Sequence, residues 1–404
     1  MALLFAASGP EALAQASDAD AASMVSLFDG KNLDGWRNPY DWGTVDVVNG
    51  EIQLTAERKF FLTTEAVYHD YEFEGEIKLP PGKANSGFMA RGQVEPNKVF
   101  GYQAEADPTS RRWSGGLYDE RRRQWLNPLW DQPDAQKSFD RERWNRYRIR
   151  CVGNRLQFYV NDVLTTDYFD SMDLKGHIGL QHHGEKGQTY RFRNLKVRDL
   201  GRHEWQPLFD GQSLDRWTAV GGGTWTLVDG VIQGRSDAAD KAPNGLLVFD
   251  QPFANATFRI EYRCENGDSG FFVRSTILDA KPFIKGVQCE IDNTDDVAGL
   301  YQTGGAGWLV HPLDYLETAF PPDRRAGVEK HWQKARSKGD DWNTLVISLH
   351  GNRIVTHLND CLASDHVVAD LEAKGQIALQ LHGNQDLKVD FRKVEVLRQV
   401  IAEK

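Results

Sequence analysis

The chain is written twice, and that repetition limits what it can fold into more than any other feature. Leu27-Phe-Asp-Gly-Lys-Asn-Leu-Asp-Gly-Trp36 returns as Leu208-Phe-Asp-Gly-Gln-Ser-Leu-Asp-Arg-Trp217. Asn85-Ser-Gly-Phe-Met-Ala-Arg91 returns as Asp268-Ser-Gly-Phe-Phe-Val-Arg274, and Gly153-Asn-Arg as Gly351-Asn-Arg. Gly179-Leu-Gln-His-His-Gly184 returns as Ala378-Leu-Gln-Leu-His-Gly383. The offset widens along the chain, so the second copy carries insertions. A repeat this long specifies two domains rather than a solenoid. The expected bounds are 27–199 and 205–398, with a short linker over about 200–206.

Each copy reads as all-β. Tyr71-Glu-Phe-Glu-Gly-Glu-Ile-Lys-Leu79 and Phe258-Arg-Ile-Glu-Tyr-Arg-Cys264 alternate apolar and polar residues with period two. Asn49-Gly50 and Asp229-Gly230 supply tight turns. Many short strands between turns specify a sandwich or jelly roll. The one helical stretch expected is short, over 330–338. Two polar, Trp-bearing loops interrupt the copies at 119–143 and 302–341, and loops of that length are often functional. The first holds Arg121-Arg-Arg123, a solvated turn by itself but an anion contact beside a cleft.

Composition narrows the class. Hydrophobic residues make up 40% of the 404, and the formal charge is −10. The chain is globular, and its acidity argues against a general nucleic-acid binder. No apolar stretch is long enough for a membrane helix. Met1-Ala-Leu-Leu-Phe-Ala-Ala and Ala12-Leu-Ala-Gln15 resemble the end of a secretory signal. Residues 1–24 are therefore read as a signal remnant or disordered start, and the expected location is secreted or periplasmic. Cys151, Cys264, Cys289 and Cys361 form no CxxC pair and read as buried thiols.

Chemistry concentrates in one repeated row. Gly101-Tyr-Gln-Ala-Glu-Ala-Asp107 and Gly286-Val-Gln-Cys-Glu-Ile-Asp292 place Gln103, Glu105 and Asp107, and Gln288, Glu290 and Asp292, at alternate positions. On a strand such residues share a face. Gln181 and His183 share one likewise, as do Gln380 and His382, and so do Glu74 and Glu76. If the strands are neighbours, carboxylates, an amide, an imidazole and Arg91 meet in one groove, with Glu261 and Arg274 in the second copy. The competing reading is that polar rows merely coat the solvent face of a sandwich.

Together LFDGKNLDGW, NSGFMAR, GYQAEAD, the Trp144-Asn145 pair, GNRLQFYVND, GLQHHG and FRNLKV resemble the 3-keto-disaccharide hydrolase domain family, also described as 3-keto-glucoside 1,2-lyase / 3-keto-2-hydroxy-glucal hydratase. The resemblance implies two concanavalin-like β-sandwiches and exported bacterial proteins acting on oxidised sugars. It implies proton abstraction from sugar carbon 2, acidified by a ketone at carbon 3, then loss of the group on carbon 1 and hydration of the glucal. In this chain Gln and Glu are exchanged relative to the family strand. By the resemblance Glu105 or His183 is the base, with Glu290 or His382 in the second copy. Arg91, Gln103 and Tyr118, and Arg274, Gln288 and Tyr301, contact the sugar. A divalent metal would lie on Asp107 and His183, or Asp292 and His382. No organic cofactor is expected, the ligand is oxidised or plain carbohydrate, and the oligomeric state is open.

Two other readings stand beside this one. EIDNTD resembles the Glu-x-Asp-x-x-Glu strand of laminarinase-type retaining glycosidases, with Asp295 as the last acid. Alternatively, the pair is a non-catalytic carbohydrate-binding module that gains from bivalence.

Overall fold

The computed structural model describes residues 23–281, 283–336 and 341–400. The expected signal remnant lies almost wholly outside them. The chain folds as two units: one runs to Arg202, and the other holds Phe169–Met172 and His203–Val400. Each unit contains an eight-stranded and a seven-stranded antiparallel sheet. The two units repeat one strand order, so both are β-sandwiches of the expected class.

In the first unit the eight-stranded sheet is centred on Asp70–Lys78, flanked by Asn145–Val152 and Thr189–Gly201. The seven-stranded sheet runs Gln124–Asn127, Leu117–Glu120, Lys98–Ala106, Ser86–Glu95, His177–His182, Phe60–Thr64, Trp36–Arg37. In the second unit the corresponding sheet runs Trp217–Gly221, Gly245–Phe249, Gln376–Leu381, Ser269–Ile277, Ile284–Ile291, Leu300–Thr303, Gly307–Val310. Burial alternates along strands such as Arg155–Val160, as the period-two pattern requires. Between the sheets, Phe88 packs on Phe73, Tyr147 and Phe192 with ring centroids 5.3, 5.1 and 5.7 Å apart. Each buried ring contributes about 1.5–3 kcal/mol by leaving water. Phe271 and Phe258, at 5.4 Å, are a matching pair in the second unit.

The hairpins follow from their turn residues. Asn49 and Gly50 sit at φ 52° and 76°, and Asp229 and Gly230 at 50° and 76°. Both central residues are left-handed, the geometry that matches strand twist in a two-residue hairpin.

Several expectations change. The short linker over about 200–206 is itself mostly strand: Thr189–Gly201 ends in it and His203–Pro207 begins in it, the latter pairing with the end of Leu387–Gln399. Helix begins earlier than 330, at Pro312–Ala319 and Pro322–Ala335, each with proline in its first turn. Glu74 and Glu76 leave the groove because their strand belongs to the eight-stranded sheet, where Arg193 binds Glu76 at 2.7 Å. Glu261 likewise pairs with Lys393 at 2.7 Å and with Arg392. All four thiols are free and buried. Among the described residues no helix is long and apolar enough to cross a membrane.

Candidate active site

Strand register decides which side chains meet. Ala104 lies opposite Phe88, whose ring is in the core, so the alternate residues Gln103 and Glu105 face away from the second sheet. Gln103 pairs across to Met89 and Tyr118, and Tyr118 to Trp125. Gln181, on the next strand but one, faces the same way. The amides meet head to head: Gln103 Nε2 donates to Gln181 Oε1 at 3.0 Å, and Gln181 Nε2 donates back at 3.2 Å.

This amide pair explains the repeated Ser-Gly. A Cβ on Gly87 would meet Gln103 at 2.6 Å, so only glycine lets the side chain lie across the strand. Ser86 Oγ donates to the Gln181 carbonyl at 2.7 Å. The second unit repeats both features. A Cβ on Gly270 would meet Gln288 at 2.5 Å, Ser269 Oγ donates to the Gln380 carbonyl at 2.7 Å, and Gln288 Nε2 donates to Gln380 Oε1 at 2.8 Å.

Glu105 is the distinctive group of the first unit. It is 5% exposed, and its Oε2 has no hydrogen-bond partner. Burial, then the nearby charges of Asp107 and Glu120, push its ionisation up to about 8. The Lys59 ammonium and a hydrogen bond with Asn85 act in the opposite direction. Lys59 Nζ is held by both Glu120 oxygens at 3.1 and 3.2 Å. A carboxyl that exchanges its proton near neutrality therefore sits within the field of a fixed cation.

The second unit differs in its charges. Burial, with Asp268 and Asp292 beside it, pushes Glu290 well above the carboxylate range. Burial also raises Asp268, against the pull of His382, and raises Asp292. By register Asn244 stands where Lys59 stands, and Thr303 where Glu120 stands. Asn244 Oδ1 accepts from the Gly383 amide at 2.9 Å. Leu246, Val248, Phe272 and Ala378 form a buried apolar cluster beside the amide pair. Their register counterparts in the first unit are Phe61, Thr63, Met89 and Gly179.

Other expected site residues are placed elsewhere. Arg91 is fully buried at φ 54°, in the bulge that breaks the ladder between Ala90 and Gln93. The bulge turns its guanidinium out of the groove. There it binds Asp70 at 3.0 Å and the carbonyls of His69, Gly153 and Asp173. Arg274, at φ 45°, is spent in the same way on Asn255 and the carbonyls of Ala254, Gly351 and Glu372. Both guanidiniums are thus turned away from the Gln-Glu row. His183 Nδ1 pairs with Glu185 at 2.8 Å, and Asp107 with Arg111 at 2.7 Å. His382 Nδ1 lies 3.1 Å from the Gly383 carbonyl oxygen. Among the described residues no three His, Cys, Asp or Glu side chains gather as a metal-binding group. The expected metal ligands thus do not form a donor set. Arg122 and Arg123 turn inward onto Asp119 at 2.8 and 2.6 Å, and so are not an anion contact.

Tyr118 and Tyr301 do flank the row, each opposite its glutamine. Trp125, next on the ladder, and Lys59, Glu120 and Asn85 are additions that the strand pattern missed. Asn85 and Asp268 were legible as the heads of the repeated Ser-Gly-Phe. Lys59 was not, because the second copy has no cation there.

The sequence profile of the family described as the 3-keto-alpha-glucoside-1,2-lyase-like domain matches residues 23–198 and again 204–397. The chain belongs to this family. Membership makes it a carbohydrate-active protein, in two family domains. No curated protein sequence matches the chain. Among solved structures it is similar to a carbohydrate-binding module, CBM66 of Bacillus subtilis, at 20% identity over 41% of this chain and 96% of that one, with a TM-score of 0.32. It is also similar to the kappa-carrageenase of Pseudoalteromonas carrageenovora, at 10% identity over 49% of this chain and 96% of that one, with a TM-score of 0.31.

Proposed function

We propose that the first domain cleaves 3-keto-glycosides by elimination and hydration, with Glu105 as the proton carrier. The observation that carries this reading is a buried carboxyl whose ionisation lies at about 8, next to a fixed ammonium. A general base works best when its pKa is near the operating pH.

The ketone at carbon 3 acidifies the carbon-2 proton. Glu105 carboxylate removes it, and the electron pair moves into a carbon 2–carbon 3 enediolate whose negative charge rests on the carbon-3 oxygen. Lys59 is the cation that opposes this charge. The electrons then return, a carbon 1–carbon 2 double bond forms, and the carbon 1–oxygen bond breaks. The leaving oxygen takes the proton held by Glu105. Water then adds its hydroxyl to carbon 1 and a proton to carbon 2, so the net change is hydrolysis. Gln103 and Gln181 fix each other and offer remaining lone pairs and N–H groups to ring hydroxyls. Export remains part of this proposal, resting on the signal-like start alone.

The test is release of p-nitrophenol from its 3-keto-glucoside. Glu105→Gln is expected to lower kcat by about 10²–10⁴-fold, and Glu290→Gln to leave it within a few-fold. Equal losses in both variants, or none in Glu105→Gln, would overturn the assignment. Release from the unoxidised glucoside at the same rate would overturn the chemistry.

A further inference from the structure

The two domains differ most at the corner where the aromatic ladder ends. Gly116 and Gly299 are equivalent: each carbonyl accepts from the amide of the candidate acid, Glu105 or Glu290, at 3.0 Å. A Cβ on either would meet the Cζ3 atom of the ladder tryptophan, Trp125 at 3.0 Å or Trp308 at 3.1 Å. The Gly116 amide donates to the Trp113 carbonyl, and the Gly299 amide to the Asp296 carbonyl. Trp113 and Asp296 therefore occupy one position.

That exchange opens the corner. In the first domain Trp113 meets Trp125 edge-on at 4.9 Å and closes a small core with Leu129 and Ala135. In the second, Asp296 instead holds His311 Nδ1 at 2.8 Å, and the His311 ring stacks on Trp308 at 4.0 Å. Tyr301 meets Trp308 edge-on at 5.6 Å. The indole is fixed between two rings yet 39% exposed. A cavity of ≈ 420 Å³ adjoins it, lined also by Asp314, Thr318, Asp365 and His366. That volume falls in the range of about 300–1,000 Å³ typical of small-ligand sites. Burial pushes His366 below the ordinary histidine value, against the pull of Asp365, and a neutral imidazole offers one donor and one acceptor. Arg353 fixes Asp365 through both carboxylate oxygens, at 2.6 and 2.5 Å.

We propose that Trp308 and this cavity form a second carbohydrate site, which takes an unoxidised pyranose on the indole. A pyranose has a C–H face that packs on an aromatic ring, and a rim of hydroxyls that needs mixed donors and acceptors. Trp308 supplies the first, and His366, Thr318 and the two aspartates supply the second. The site needs no ketone and no base. It rests on the carbohydrate-active reading but not on Glu105 chemistry. Its role is to hold a plain sugar on the second domain.

Isothermal titration of the full chain with maltose, cellobiose, laminaribiose and trehalose tests this. At least one is expected to bind at millimolar affinity. Trp308→Ala should weaken that binding about tenfold or more, and Trp308→Phe only a few-fold. Thermal melts check that the variants fold, and His311→Ala, expected to weaken binding several-fold, replaces Trp308→Ala if that variant does not. Coincident isotherms for parent and folded variant, or no binding of any of the four sugars, overturn the proposal. Turnover of the 3-keto-glucoside is read in parallel. Trp308→Ala is expected to leave it intact, and Glu105→Gln to leave maltose-type binding intact. Failure of one proposal is thereby separated from failure of the other.

Discussion

At the scale of single residues, Glu105 ties activity and stability to pH in opposite ways. The base works as the carboxylate, so the rate should climb with pH and level off above about 8. Lys59 lowers that ionisation, so Lys59→Met is expected to move the inflection upward. The same variant should cut the plateau rate by about 10²-fold or more, because a preorganised charge is lost. A pH–rate profile of both proteins checks this, and an inflection that stays put or moves down contradicts it. For stability, the folded value of about 8 lies above the ordinary 4.5. Between those values the folded chain keeps a proton that the unfolded chain releases, so stability falls as pH rises through the window. Glu105→Gln removes that penalty. Its Tm should exceed the parent's at pH 7.5, with the gain fading toward pH 4. Melts at both pH values read it, and equal shifts would count against a buried, protonated Glu105.

At the scale of strands, the period-two pattern was enough to put Gln103 and Glu105 on one face of their strand; that Gln181 and Tyr118 join them is decided by strand order, which alternation does not give. The pattern held because the ladder is regular where these residues lie, over 86–90 opposite 102–106 and over 179–182, although it is irregular between His177 and Gly179. It failed at Arg91, where a bulge resets which side faces out, and at Glu74 and Glu76, because alternation cannot say which sheet a strand joins. Arg91 therefore belongs to stability. Its side chain and that of Asp70 are 0% and 1% exposed. Arg91→Met is expected to cost about 3–5 kcal/mol, since it leaves Asp70 buried without its cation. Urea unfolding measures this. A loss under about 1 kcal/mol, the ordinary worth of an exposed pair, would show that burial adds little here. Arg91→Lys should recover only part, because lysine lacks the planar fork.

At the scale of the whole chain, the duplication was legible from the first motif, and with it the repeated sandwich. Which copy does proton chemistry was not legible, because the row Gln-x-Glu-x-Asp is identical in both. The difference lies in residues that have no repeat partner of like kind. Lys59 and Glu120 face Asn244 and Thr303 across the alignment, and Trp113 faces Asp296. A comparison that looks for agreement passes over such positions. The copies have kept one amide-paired scaffold and parted in charge: a carboxyl with a fixed cation in one, a knot of raised acids beside an apolar cluster in the other.

The central claim is that Glu105 exchanges the proton on sugar carbon 2. Incubation of a 3-keto-glucoside with the full chain in D₂O, followed by proton NMR of residual substrate and product, tests it directly. The expected result is deuterium at carbon 2 with the parent and with Glu290→Gln, and none above the uncatalysed level with Glu105→Gln. Deuterium entering at the parent rate with Glu105→Gln, or aglycone release by the parent with carbon 2 still fully protonated, would contradict the account.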